Sequence, residues 1–222
     1  MNYVFDFGVV FEKMPELLLG AASTLGLAIA GISLALIIGV LGVAARSSKY
    51  RLVRGAVIGF VEVVRNTPFL VQIFFIFFAL PMMGIRLNPT VTAIIALAVN
   101  GGAYAIEIIR GGVESISKGQ VEAGLALGLH KFQVFRLIVL KPAIRTIYPS
   151  LVSQFIMLTL TTAVCTSIAA YELTSVAQMI ESDTFRSFEV YFTITIMYLF
   201  ISSIMMGLFA LISRHFFSYP TR

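Results

Sequence analysis

Four stretches of the chain run without a charged residue for 20 positions or more: residues 17–45, 87–106, 146–171 and 190–213. A bilayer-spanning helix needs about 20 predominantly apolar residues, so each stretch is long enough to cross a membrane. A fifth, 66–85, contains Pro68 and Pro81 but also the dense run Phe69-Leu-Val-Gln-Ile-Phe-Phe-Ile-Phe-Phe-Ala-Leu80. Proline near a membrane helix terminus is tolerated because neighbouring groups satisfy the freed carbonyls. The pattern predicts an all-α polytopic membrane protein: five spans forming one transmembrane domain over 1–222.

The first run is read as a retained span. The residues ahead of it carry Asp6, Glu12 and Glu16 against Lys13, the wrong balance for the basic start of a signal peptide. The run is also longer than the roughly 7–15 apolar residues of a signal core.

Composition agrees. Hydrophobic residues make up 59% of the 222 and charged residues 12%, with a mean hydropathy of +0.95. A soluble domain carries about 25% charged residues. Disordered, collagen-like and disulfide-rich classes are excluded too. Cys165 is the single cysteine, and His130 and His215 lie far apart, too few ligands for a zinc site.

The net charge of +5 acquires meaning from its placement. Thirteen of the 16 basic residues fall in 46–65, in 107–145 and in the C-terminal tail (Arg214, Arg222), while 7 of the 11 acids fall in the remaining connections. The positive-inside rule then predicts N-terminus out and C-terminus in. The excess of positive charge is a topology signal, and nucleic acid is not an expected partner.

The loop 107–145 is long for a connection, and such loops are functional or disordered. This one is too regular for disorder. Glu107, Arg110, Glu114 and Lys118 share one helical face, extending the third span beyond the bilayer. Ser117-Lys118-Gly119-Gln120 has the form of a capping box. A short helix from Gly119 to about Leu127 should follow, ended by Gly128 in a left-handed turn. A second helical segment over 130–140 should close near Pro142. Leu125, Leu127 and Leu129 near the turn need cover, from the protein's own base or from a partner. The result is a helical elbow suited to docking a cytoplasmic protein.

Here a family resemblance enters. Glu122-Ala123-Gly124-Leu125-Ala126-Leu127-Gly128, followed by Ile138 and Leu140, resembles the "EAA" loop of ABC-importer permeases. The segments Ala103-Tyr-Ala-Ile-Glu-Ile-Ile-Arg-Gly-Gly-Val-Glu-Ser-Ile-Ser-Lys-Gly-Gln120 and Glu62-Val-Val-Arg-Asn-Thr-Pro-Phe-Leu-Val-Gln72 are similar to signatures of the polar-amino-acid (histidine/glutamate/glutamine/arginine/opine) permeases. The resemblance implies a non-catalytic permease subunit of an ATP-driven importer in the cytoplasmic (inner) membrane of a prokaryote. It implies a second permease subunit, identical or related, an extracytoplasmic solute-binding protein and a cytoplasmic ATPase dimer. ATP and magnesium would be held in that ATPase, with no cofactor or metal in this chain; Glu122, Ala123, Gly124 and Gly128 would form the docking elbow. Gly124 replaces a usual alanine, Pro142 stands one place late, and Thr161 stands where some members carry an acid.

No charged residue is expected at mid-membrane depth, so uncharged polar residues are the pathway candidates. Ser150, Gln154, Thr161 and Cys165 project within about 60° of one another at 100° per residue. Asn100 and Tyr104 share a face of the third span, and Gln72 follows Pro68 on the second. Two roles are open to them: offering hydrogen bonds to a polar amino acid, or bonding neighbouring helices. Glu62 with Arg65, and Glu107 with Arg110, are read as gate or interface ion pairs. Gly20, Gly26, Gly31, Gly39 and Gly42 permit close helix approach to the first span. The chain contains no Gly-x-x-x-x-Gly-Lys-Ser/Thr phosphate loop. The alternatives are a passive channel or scaffold subunit, and an intramembrane enzyme, for which Cys165 lacks a histidine at its depth.

Overall fold

The computed structural model describes residues 4–216, and every regular element among them is helical. Arg222, counted above in the C-terminal tail, lies outside the described residues. A short helix α1 (Gly8–Glu12) precedes α2 (Met14–Arg46), whose 33 residues contain the first run. α5 (Pro89–Glu114) carries the third run and its charged extension. Its start is fixed by Asn88, whose Oδ1 accepts from the Val91 N–H at 2.8 Å, and by Pro89 in the first turn. α10 (Ser187–Phe216) carries the last run.

α2 and α5 form the central pair, and small residues set their separation. A methyl group added at Gly31 would lie 2.9 Å from Leu97 Cβ, one at Gly39 2.7 Å from Ala105 Cβ, and one at Gly101 2.9 Å from Ala35 Cβ. The glycines on both helices thus allow backbones to approach where there is no hydrophobic drive to hold helices together in lipid. Gly26, by contrast, has open space beside it.

The second run departs from expectation. Residues 51–65, read as part of a charged loop, form helix α3 (Arg51–Arg65), and the apolar limb is α4 (Phe69–Met82), narrower than 66–85. The two meet at 113°. Pro68 causes the break: it has no N–H to donate and biases the residue before it away from helix. Phe75 and Phe78 on α4 are exposed, whereas Ile73 is fully buried.

The fourth run differs too. α6 (Lys118–Ala126) is the elbow helix, followed by α7 (Lys131–Val134), a π turn over Phe135–Val139 and α8 (Leu140–Thr161). The helix does not close at Pro142. That proline cannot donate to the Ile138 carbonyl, and the wider π turn re-registers the ladder at this point. Beyond Thr161 the chain tightens into a 3₁₀ helix, Thr162–Ile168, and Ala169 turns left-handed at φ 58°.

The connection expected over 172–189 holds another helix, α9 (Leu173–Thr184). Leu173, Val176, Ala177 and Ile180 are buried together with Leu17 of α2 and Val190 of α10. Gly20 makes room, since a methyl there would lie 3.0 Å from Leu173 Cα. α9 therefore dips back into the bundle. Glu172 caps it, fully buried, accepting from the N–H groups of Thr174 (2.9 Å) and Ser175 (2.6 Å) and from Tyr198 Oη (2.8 Å). Tyr198 stands 11 residues into the 30-residue α10, about 17 Å along it. Glu172, counted in the sequence as a loop acid, is thus an acidic side chain buried inside the bundle, its lone pairs met by a helix N-terminus and a phenol.

At the same end of the bundle, the Asp6 N–H donates to Glu189 Oε1 at 2.9 Å and Arg186 donates to the Val4 carbonyl at 2.8 Å, pinning the N-terminal segment over the start of α10.

Candidate functional site

The break between α3 and α4 would leave the last carbonyls of α3 unsatisfied. Gln72 resolves this. Its Nε2 donates to Val64 O (2.7 Å), Thr67 O (3.0 Å) and Thr67 Oγ1 (2.9 Å), while its Oε1 accepts from Asn100 Nδ2 at 2.9 Å. Two pathway candidates from different spans are therefore bonded to each other, stitching the bend onto α5.

One turn further along α5, Tyr104 lies beneath Arg65, whose guanidinium is 5.3 Å from the ring centroid. Another turn brings Glu107, on which three arginines converge. Arg46 at the end of α2 bonds its Oε1, Arg110 bonds its Oε2 at 2.7 Å, and Arg65 stands 3.8 Å away. Arg110 also pairs with Glu114. A single carboxylate thus ties α2, α3 and α5 at the basic end of the bundle. Glu107 and Arg110 do pair. Arg65 turns to Glu107 and not to Glu62, and Glu62 has no ion pair among the described residues. Between these groups lies a cleft of about 310 Å³, lined by Arg46, Glu62, Arg65, Asn66, Tyr104 and Glu107, with Ile58 and Val61.

The α8 candidates do not join this cleft. Gln154 is half-buried and makes no hydrogen bond among the described residues, and Thr161 Oγ1 bonds back to the Met157 carbonyl at 2.7 Å. Cys165 is fully buried in an apolar cluster with Leu27, Ile73 and Leu158 and serves packing there, a correction to its place on the pathway face. The cause is the 3₁₀ segment: at about 120° per residue, Cys165 rotates some 80° away from its α-helical bearing.

At the same end, α6 projects from the bundle with Glu122, Ala123, Leu125, Leu127 and Gly128 exposed, and Leu127 retains 82% of its surface. Gly128, at φ 83°, closes the helix with the Gly128 N–H on Leu125 O (3.0 Å) and the Leu129 N–H on Gly124 O (3.2 Å), a Schellman ending. The capping box at Ser117 is not formed; its side chain makes no cap bond, and the reciprocal cap sits at the next helix, where Gln133 Oε1 accepts from the His130 N–H at 2.8 Å. Gly124 is buried, facing Val134 and Ile138; the glycine lets α6 lie against the π-turn segment.

Arg46 and Glu172 were not among the sequence candidates. Arg46 was counted only as a loop charge. Glu172-x-x-Ser175, just before an apolar i, i+3, i+4 stripe, is a helix-start signal that would have found α9 and its cap.

Residues 31–218 match the family described as "Binding-protein-dependent transport system inner membrane component". The chain is 37% identical over 203 residues to the glutamine transport system permease protein GlnP of Escherichia coli (strain K12), covering 90% of this chain and 93% of that one. It is 35% identical over 207 residues to the nopaline transport system permease protein NocM of Agrobacterium fabrum, covering 89% and 86%. Among solved structures, an amino acid ABC transporter crystallised with histidines superposes with a TM-score of 0.90 at 29% identity, covering 96% of this chain and all of that one. The inward-facing methionine transporter MetNI shares the fold, with a TM-score of 0.75 at 18% identity. With its helical bundle broken at α3–α4 and carrying an exposed elbow, the chain belongs to the binding-protein-dependent transport system inner membrane components and is a multi-pass permease subunit of an ABC transporter.

Proposed function

We propose that the chain is the membrane-spanning subunit of an importer for polar amino acids, with the basic end in the cytoplasm and the N-terminus outside. The observation that carries the coupling is the elbow: α6 exposes Leu125 and Leu127 beside Glu122 at the basic end, apolar surface that a partner must cover. The partner we infer is a cytoplasmic ATPase dimer that holds ATP and magnesium, one ATPase per permease subunit. Two permease subunits, identical or related, enclose the path, and an extracytoplasmic binding protein delivers the substrate. Gln72, Asn100, Tyr104, Gln154 and Thr161 supply the polar surface of that path; the ion pairs at Glu107 set the position of its inner end.

The transmission is mechanical. α6 rests on Val134 and Ile138, and from Lys131 to Ile168 the chain is one continuous helical rod. Displacing the elbow tilts that rod against α5, where Gly112 meets Ile147. ATP and substrate bias the inward- and outward-facing states only through their differential affinity for the two. Relatives named for glutamine and nopaline transport support an amino acid as the cargo.

The test is Glu122→Lys in the reconstituted complex. Association with the ATPase and ATP-driven amino-acid uptake should collapse while membrane insertion survives; wild-type uptake overturns the docking role. Uptake that proceeds equally well without nucleotide would point instead to a passive channel.

A further inference from the structure

We propose that the cleft between α3 and α5 is a subsite for the zwitterionic end of an α-amino acid, with Arg65 taking its carboxylate and Glu62 its ammonium. This deepens the importer reading and rests on it. Glu62 and Arg65 stand three residues apart on α3, neighbours within about 6 Å on a helix surface, yet they do not pair. Arg65 is drawn towards Glu107, but that carboxylate is already bonded by Arg46 and Arg110, and at 3.8 Å Arg65 is left with an ion pair and no hydrogen bond. Its guanidinium lies over Tyr104, and its side chain keeps 42% of its surface exposed on the wall of the cleft. Glu62 is exposed on the same wall.

The cleft therefore presents one underused cation and one unpaired anion a helical turn apart, beside the amide of Asn66. A bidentate guanidinium–carboxylate bond is among the stronger polar contacts available, and a second, opposite charge selects for a ligand that carries both signs. Its volume of about 310 Å³ suits a small ligand. The remaining length of the ligand points past Tyr104 towards the Gln72–Asn100 bond, which places the subsite at the inner end of the polar surface described above.

The chain's own chemistry permits a direct test. Cys165 is its sole cysteine and is fully buried, so Asn66→Cys introduces an isolated accessible thiol in the cleft, with Ile58→Cys as a second position should the first misfold. In the purified permease–ATPase complex, maleimide labelling is timed with and without a mixture of the common L-amino acids. Labelling should slow about fivefold once the ligand reaches roughly four times its Kd. The corresponding methyl esters, which lack the carboxylate, and the N-acetyl derivatives, which lack the ammonium, should not protect. Arg65→Gln should abolish protection and Arg65→Lys restore part of it. Equal labelling rates with and without the amino acids, equal protection by the esters, or protection that survives Arg65→Gln each overturns the subsite. ATP-driven uptake of the same mixture, followed by mass spectrometry in the unsubstituted complex, separates the two levels. Uptake without protection removes the subsite alone, and protection without uptake removes the importer reading alone.

Discussion

Tyr198 of α10 donates to Glu172 Oε2 at 2.8 Å, so the carboxylate that caps α9 is held by a residue 26 positions later in the chain. The Leu173 N–H, next in the chain, bonds Thr24 Oγ1 of α2 at 3.1 Å. The re-entrant helix is thereby fastened on both sides at the point where it turns. Tyr198→Phe should destabilise the purified protein by about 1 kcal/mol, since hydrogen bonds within membranes average near 0.6 and those to charged acceptors exceed it. Glu172→Leu should cost more, because three donors lose their acceptor together. Thermal unfolding in detergent reads both, and equal midpoints for the two variants would contradict the ranking.

Adjacent glycines on α5 offer an internally controlled comparison. A methyl group at Gly112 would overlap Ile147 Cγ2 and lie 3.2 Å from the Ala143 carbonyl, whereas one at Gly111 meets nothing within 4 Å. Neither Cγ2 of a β-branched side chain nor a backbone oxygen yields easily. Gly112→Ala should destabilise by about 1–3 kcal/mol through overpacking of α5 on α8. Gly111→Ala should be neutral or stabilising by up to about 1 kcal/mol from helix propensity. Unfolding curves for the pair decide it.

Gly124 is a third case. The nearest atom its added methyl would meet is Ile138 Cδ1, the flexible end of a side chain, with Val134 Cγ2 next at 3.2 Å, close enough to need a shift of only a few tenths of an ångström. Gly124→Ala should therefore be tolerated, with the propensity gain of about 1 kcal/mol offsetting the shift of Ile138. Gly124→Val places a branch against Val134 as well and should lift α6 from the rod, lowering ATPase association measured by co-purification. Gly124→Val in an Ile138→Ala background should recover part of it.

Gln72→Leu removes four hydrogen bonds at the bend and strands Asn100 Nδ2. Both stability and uptake should fall, and Gln72→Glu should not rescue either: it keeps an acceptor for Asn100 but sets a carboxylate oxygen against the carbonyls of Val64 and Thr67. Asn100→Ala, which loses only one of these bonds, should show the smaller stability loss in the same unfolding assay.

The long apolar helices were legible because lipid demands a length and a composition that hydropathy reads directly. α3 was hidden by its own charges: Arg51, Arg54, Glu62 and Arg65 mark a loop when counted, although Val57, Val61 and Val64 recur at helical spacing. α9 was hidden likewise by Glu172, Glu181 and Asp183, while Val176, Ala177 and Ile180 carried the stripe. The elbow and the Gly128 ending could be read locally, being set by residues within one turn. The Gln72–Asn100 bond and the convergence of Arg46 and Arg65 on Glu107 could not, since contacts between separate helices follow from packing angles that no local spacing records. Cys165 was misplaced because an unbroken α-helical period was carried into a 3₁₀ segment.

The apolar limb of the bent pair has 14 residues, about 21 Å of helix, against a hydrocarbon layer of about 30 Å. Lipids beside Phe75 and Phe78 must therefore shorten or tilt to meet it, at a fraction of a kcal/mol for each ångström of mismatch. Acyl-chain length thus becomes a lever on this subunit: thin bilayers relieve the deformation around α4, and thick ones favour whatever neighbour can shield it.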